Sequence, residues 1–189
     1  MFSQVSCDSF DQKVNEKIGR RSKAKNDHLE SLKMVANWCQ AYGVLFKLNT
    51  VVNRYNFLED MQEVVRKLDP VRWKVFQCLP IEAENMGEGA MRQVEPFLIS
   101  DSEWQQFLDT HHGVKCLVPE SNLAMRNSYL LVDEYMRFLD NTGGKKEPSN
   151  SILDVGVEAG KNKAGFDQEM FFKRGGKYQW SKQDRALEW

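Results

Sequence analysis

The chain has 189 residues, 41% of them hydrophobic and 28% charged, with a formal net charge of -1. That suits one compact domain, or one domain with an extension, and excludes both a disordered tail and a strongly basic nucleic-acid binder. Any anion site must come from a local cluster of charge, not from the field of the whole protein.

No apolar run approaches the roughly 20 residues needed to span a bilayer, so no transmembrane segment is expected. The opening MFSQVSCDSF has no basic stretch ahead of an apolar core, which argues against a signal peptide and for a cytosolic chain. The four cysteines, Cys7, Cys39, Cys78 and Cys116, are widely spaced with no C-x-x-C pair. They read as free, mostly buried thiols and not as a metal site.

In chain order, short β-rich runs alternate with helical patterns over the first half, the signature of βα units and a parallel sheet. The run Gln4 to Cys7 is a first, very short strand. A helix is predicted over Asp27 to Tyr42, with Asp27 and Glu30 as a capping box, Leu29, Leu32, Val35 and Cys39 as its buried face, and Gly43 closing it. Val44 to Val52 is the next strand. Asn56 and Glu59 form the capping box of a helix over Leu58 to Leu68, with Arg66 and Lys67 in its last turn and Pro70 beyond. Arg72 to Ile81 is a third strand.

The alternation is then lost. Ser100 with Glu103 opens a helix that closes near His111, His112 and Gly113, where the histidines suit the partial negative charge of a helix C-terminus. Val114 to Val118 is a short strand, Tyr129 to Leu139 a strand pair, Asn141 to Asn150 a loop, and Ser151 to Val155 another strand. Asp167 caps a last short helix ending at Gly175 and Gly176. One boundary is expected near Ile99, giving residues 1–98 and 99–189.

The most informative pattern is strand parity. Alternate side chains of a strand share a face. Lys47 and Asn49 therefore lie together, opposite Phe46 and Leu48, while Arg72 and Lys74 lie together, opposite Trp73 and Val75. Buried parallel strands are normally apolar on both faces, so inward cations call for a compensating anion. A phosphate site fits: two lysines as point charges, Arg72 as a planar fork, Asn49 as one further donor. Two edge strands with solvated polar faces give the same pattern, and the alternation does not choose between them. Other features weigh less. Gly19-Arg20-Arg21 with Lys23 and Lys25 reads as a solvated basic loop. Glu82 and Glu84 follow the third strand, where an acid–base pair would sit in a barrel enzyme. Tyr129 opens an aromatic run, and Trp189 ends the chain, as a plain tail or a short recognition motif.

The stretches VSCDSFD, FKLNTVVNRYN, PVRWKVFQCLPIE, CLVPESN, SYLLVDEYMRFL, SILDVGV and FFKRGGKYQWS, with the terminal Trp, resemble the viperin family of antiviral radical S-adenosylmethionine enzymes from about Val5 to Trp189. The resemblance implies an α/β fold: the C-terminal half of a partial (βα)6 radical-SAM barrel in residues 1–98, followed by an α+β extension in 99–189 that closes over the substrate. It implies a lyase of innate immunity that uses a 4Fe-4S cluster and S-adenosylmethionine to convert CTP to 3'-deoxy-3',4'-didehydro-CTP, a chain terminator for viral polymerases. By position, Ser6 and Arg20 correspond to contacts with S-adenosylmethionine. Lys47, Asn49, Arg72 and Lys74 correspond to the triphosphate site, Tyr129 to a tyrosine proposed to deliver a hydrogen, and Trp189 to the terminal tryptophan that recruits the cytosolic iron–sulfur assembly machinery.

The family's C-x-x-x-C-x-x-C segment would precede Met1, as would the amphipathic helix that docks the family on the endoplasmic reticulum and lipid droplets. None of the four cysteines substitutes, because three thiolates must converge on one cluster. Two functions are therefore carried forward: part of a nucleotide-dehydrating radical enzyme that keeps the triphosphate grip, or a non-catalytic module that binds partners through the extension and Trp189.

Overall fold

The computed structural model describes residues 1–20, 28–81, 85–88, 90, 92–140, 142, 146–174 and 176–177. It divides into two units, one of residues 1–79 and 95–120, the other of 80–94 and 121–189.

The first unit is α/β. Its elements are β1 (Phe2–Ser6), α1 (Gln12–Ile18), α2 (His28–Ala41), β2 (Leu45–Val52), α3 (Gln62–Leu68), β3 (Arg72–Gln77), α4 (Asp101–His111) and β4 (Leu117–Glu120). The strands form one sheet in the order β1-β2-β3-β4 with every neighbouring pair parallel. The β–helix–β alternation of the sequence dictates this, since a parallel pair needs a crossover. One face of the sheet carries the core. Phe46, Leu48 and Val52 of β2 and Trp73 and Val75 of β3 are buried with Leu32, Ala36 and Cys39 of α2, Val65 of α3, and Trp104 and Phe107 of α4. Trp73 is fully buried, donates its indole N–H to Thr50 Oγ1 at 2.9 Å, and meets Phe107 edge to face at 6.0 Å. Full burial of a side chain of this class is worth about 1.5–3 kcal/mol.

Several local expectations are corrected. Asp11 caps α1 by accepting from the Lys13 N–H, and Gly19 closes it at φ 89, so the Asp…Gly punctuation marks a helix that the apolar periodicity did not. Gly43, at φ 64, follows α2 as expected, while Asp27 lies outside the described residues. Asn56 and Glu59 are not a capping box, and α3 starts at Gln62. Both side chains are spent on the loop after β1. Asn56 Oδ1 accepts the Asn53 N–H while its Nδ2 donates to the Asp8 and Val51 carbonyls, and Glu59 accepts from Ser9 Oγ and the Phe10 N–H, so neither is left to cap a helix. The third strand stops at Gln77, whose amide donates to Asp101 at 3.0 Å. Residues 114–116 are not strand: the Val114 N–H bonds back to the His111 carbonyl, and β4 begins at Leu117. The Ser100–Glu103 capping box of α4 is present in both of its bonds.

His111 is also corrected. It sits in the last turn of α4 as expected, but it is fully buried and so does not serve there as a cation. Its Nε2 accepts the Met61 N–H at 2.9 Å, so Nδ1 must carry the proton, which it donates to the Phe107 carbonyl at 2.7 Å. Burial holds its pKa below the ordinary histidine value, against the opposing pull of Phe107 and Asp60, and the ring is neutral.

The second unit contains α5 (Asn122–Met125), β5 (Leu131–Val132), β6 (Arg137–Asp140), β7 (Glu147–Ser151), α6 (Ile152–Val155), α7 (Val157–Lys161) and α8 (Gln168–Lys173). The strands make an antiparallel sheet in sequence order. Asp133 closes the β5–β6 hairpin by accepting from the Tyr135 and Arg137 N–H groups and the Arg137 guanidinium. The expected strand pair within 129–139 is thus found, although Asp140 extends it. The expected loop 141–150 is in part β7, and the expected strand 151–155 is helix α6, because Ser151 Oγ accepts from the Leu153 N–H and starts a turn. Asp167 caps α8 as expected.

Among the described residues no helix is long and apolar enough to cross a membrane.

Candidate phosphate-binding site

The face of the first sheet opposite the core is polar, and the register says why. Lys47 pairs with Arg72 and Asn49 with Lys74 across β2 and β3, while Gln4 and Ser6 of β1 pair with Lys47 and Asn49. Partners in a parallel ladder share a face, so Ser6, Lys47, Asn49, Arg72 and Lys74 form one patch spanning three strands. Lys47 and Arg72 are buried; Ser6, Asn49 and Lys74 are half-buried. Three cationic side chains are thus held on two adjacent strands.

The electrostatic strain of this packing is visible at Lys47. Burial, then the nearby charges of Arg72 and Lys74, push its pKa below the ordinary lysine range. Its ammonium lies 4.6 Å from the centre of the Phe2 ring, on the same face of β1. Such a cation–π contact offsets part of the lost hydration. Lys74 reaches in the other direction. Its ammonium pairs with Glu120 Oε1 at 2.5 Å and lies 5.7 Å from the Phe76 ring.

Glu120 escaped sequence reasoning. It is fully buried at the end of β4, opposite Phe76 in register, hence on the same face as Lys74. A signal was available, since Val118 and Glu120 alternate with Pro119 as Lys74 and Phe76 alternate with Val75. The strand frame for 114–118 stopped two residues short of it.

Arg20 lies beyond the C-terminal end of β1 and is ion-paired through Nε to Asp8. Asp8 is buried, and its other oxygen accepts the Val51 N–H at 2.9 Å. The guanidinium is thereby tied to β2 as well as to its own loop. The Asn56 and Glu59 bonds described above hold that same loop. Arg21, Lys23 and Lys25 lie outside the described residues, as do Glu82, Glu84 and Trp189.

Tyr129 belongs to the second unit. The Arg174 guanidinium stacks on its ring at 3.9 Å and donates to the Ser128 carbonyl at 2.8 Å, so the end of α8 fixes the ring in place.

Cys7, Cys39 and Cys78 are buried and Cys116 is half-buried. Burial pushes the Cys7 thiol up to about 12 and raises Cys78 and Cys116 as well, which disfavours the thiolate that metals require. Among the described residues no three His, Cys, Asp or Glu side chains converge to hold a metal. They do not fit an iron–sulfur cluster.

No protein-family model matches the chain. Individual proteins do. It is 57% identical over 185 residues to the S-adenosylmethionine-dependent nucleotide dehydratase RSAD2 of Oncorhynchus mykiss, which covers 98% of this chain and 53% of that protein. The RSAD2 of Danio rerio is also 57% identical, over 98% of this chain and 51% of its own length. A bacterial S-adenosylmethionine-dependent nucleotide dehydratase, from Flammeovirga pacifica, is 33% identical over 93% of this chain and 59% of its length. The chain spans about half the length of the curated fish relatives it matches. With more than half of its residues identical along 98% of its length, the chain belongs to the viperin (RSAD2) family.

Proposed function

We propose that this chain supplies the nucleotide-gripping part of a radical S-adenosylmethionine nucleotide dehydratase, within a partial (βα)6 barrel, with CTP as substrate and 3'-deoxy-3',4'-didehydro-CTP as product. The observation that carries the reading is the paired register of Lys47 with Arg72 and Asn49 with Lys74 on one polar face. A triphosphate is the ligand whose charge such a face needs. Its oxygens accept two N–H bonds from the Arg72 fork, which fixes one phosphate in orientation, while the lysines neutralise neighbouring phosphates without imposing geometry. Asn49, being neutral, adds a directed donor without adding to the repulsion. Holding the triphosphate this way sets where the ribose lies, and orientation of that kind supplies much of an enzyme's rate enhancement.

Ser6 and Arg20 are the proposed contacts for S-adenosylmethionine, a hydroxyl and a guanidinium fork that suit ribose hydroxyls and a carboxylate. When bound, S-adenosylmethionine supplies the hydrogen-abstracting species. Asp8 holds the Arg20 guanidinium through its Nε. Tyr129 is the proposed hydrogen donor, with Arg174 stacked on its ring to fix its orientation. No described residue is a cluster ligand, and no step is placed on Cys7, Cys39, Cys78 or Cys116. Recruitment of the iron–sulfur assembly machinery by Trp189, and residence on the endoplasmic reticulum and lipid droplets, belong to the same proposal for the whole family protein.

The test is calorimetric titration with CTP. Lys74→Ala is expected to weaken CTP binding about tenfold or more, as loss of a partly desolvated charge contact does. Lys115→Ala, an exposed lysine in the turn before β4, is expected to leave it unchanged. Asn49→Ala, which leaves the Lys74–Glu120 pair intact, weakens binding without loss of fold. Equal effects at Lys74 and Lys115, with no effect at Asn49, overturn the reading in favour of a non-catalytic interaction module.

A further inference from the structure

We infer that Glu120 is the internal counter-ion of this site: the carboxylate that occupies Lys74 in the free protein and that a phosphate group displaces. The inference rests on the reading of Lys47, Asn49, Arg72 and Lys74 as phosphate ligands.

Placement comes first. Glu120 is the last residue of β4, on the polar face, and its side chain is fully buried beside a Lys74 side chain that keeps 19% exposure. A carboxylate is costly to bury and is retained only where a charge partner meets it. The partner here is one of the proposed phosphate ligands, so the pair belongs to the site.

Charge balance follows. Lys47, Arg72 and Lys74 put three positive charges on two neighbouring strands, and the mutual repulsion is registered at Lys47. In the free protein one negative charge on the next strand relieves that repulsion. An incoming polyphosphate relieves it better, with several charges. The two anions then compete for the same ammonium protons and repel each other at short range. Glu120 therefore stabilises the empty face and weakens every anion bound to it. A weakly charged ligand gains too little to draw Lys74 away; a triphosphate gains enough. The carboxylate thus favours long phosphate chains over short ones.

The sign of this effect separates it from a structural role. A carboxylate that merely positions Lys74 would, when removed, cost both stability and binding. As a counter-ion its removal costs stability and improves binding. The experiment titrates the chain with inorganic tripolyphosphate and, separately, with inorganic phosphate, by calorimetry, alongside thermal unfolding without ligand. Glu120→Gln is expected to lower Tm, to bind tripolyphosphate roughly tenfold more tightly, the scale of one unit charge removed at short range in partly screened surroundings, and to discriminate less against phosphate. Should the Gln variant not fold, Glu120→Asp carries the test. Its carboxylate stands one methylene farther from Lys74, and tighter binding by a smaller factor is expected. Wild-type binding with no gain in either variant overturns the inference alone. Absence of tripolyphosphate binding by the wild type overturns the phosphate reading and this inference together.

Discussion

The two faces of the β1–β4 sheet share one backbone ladder and differ in everything their side chains do. On one face Phe46, Leu48, Val52, Trp73 and Val75 are sealed under α2, α3 and α4. On the other, Lys47 and Arg72 are buried although each carries a charge, and the Lys74 ammonium lies against a buried carboxylate. Burial alone therefore does not distinguish the core from the proposed site. The apolar face is buried because burial is favourable; burying Lys47 and Arg72 on the polar face carries a cost that the proposed phosphate ligand would offset. Substitutions on the first face should read out in stability, and those on the second in binding.

Trp73→Ala should give the largest effect. The indole has no exposed surface, packs on Phe107 and His111, and donates to Thr50. Truncation removes its burial, leaves a cavity and orphans the Thr50 contact, for a loss of about 3–5 kcal/mol in urea unfolding. If a polar-face variant such as Asn49→Ala costs as much, the division between the faces is broken.

His111 tests the apolar face through pH. Its pKa is depressed in the folded protein, so the unfolded chain takes up the proton first as the solution is acidified. The stability it contributes is complete above the unfolded value of roughly 6.5 and is lost as pH falls through that value toward the folded one. Protonation also removes the acceptor for the Met61 N–H. His111→Phe should cost about 1–3 kcal/mol at pH 7.5, where it leaves that N–H without its acceptor. It should also flatten the decline between pH 7 and 5. A variant with an unchanged acid limb would show that other groups control it.

What the sequence disclosed follows the same division. Parity along 46–49 and 72–75 was legible because each strand alternates cleanly, and the register joins those residues as the alternation predicts. The Ser100–Glu103 box was legible because capping is local. The uses of Asn56 and Glu59 were not. Their spacing fits a capping box, but Asn56 Nδ2 also reaches the Asp8 carbonyl and Glu59 reaches Ser9 and Phe10, 48 to 50 residues away, and no local rule contains that information. Glu120 was only partly legible: the alternation through Pro119 gives its face, but not its partner. A glutamate after a proline reads as loop, and only pairing with β3 places it beside Lys74. The neutral state of His111 likewise depends on Met61, fifty residues away.

The smallest effect should be the most discriminating. Lys47 is buried beside like charges, its pKa is depressed, and its ammonium lies against the Phe2 ring. Its depressed pKa means the folded state disfavours the charged form, so stability rises with pH as the ammonium deprotonates and is lower while it is charged. Lys47→Met keeps the long apolar stem, removes the charge and relieves Arg72 and Lys74. We expect unfolding free energy to rise by roughly 0.5–1 kcal/mol, within the range of ordinary stabilising substitutions, while CTP binding weakens. A gain in one and a loss in the other is what a face built for a ligand requires. A loss in both would mean that Lys47 serves the fold, and that the polar face is an unusual core and not a site.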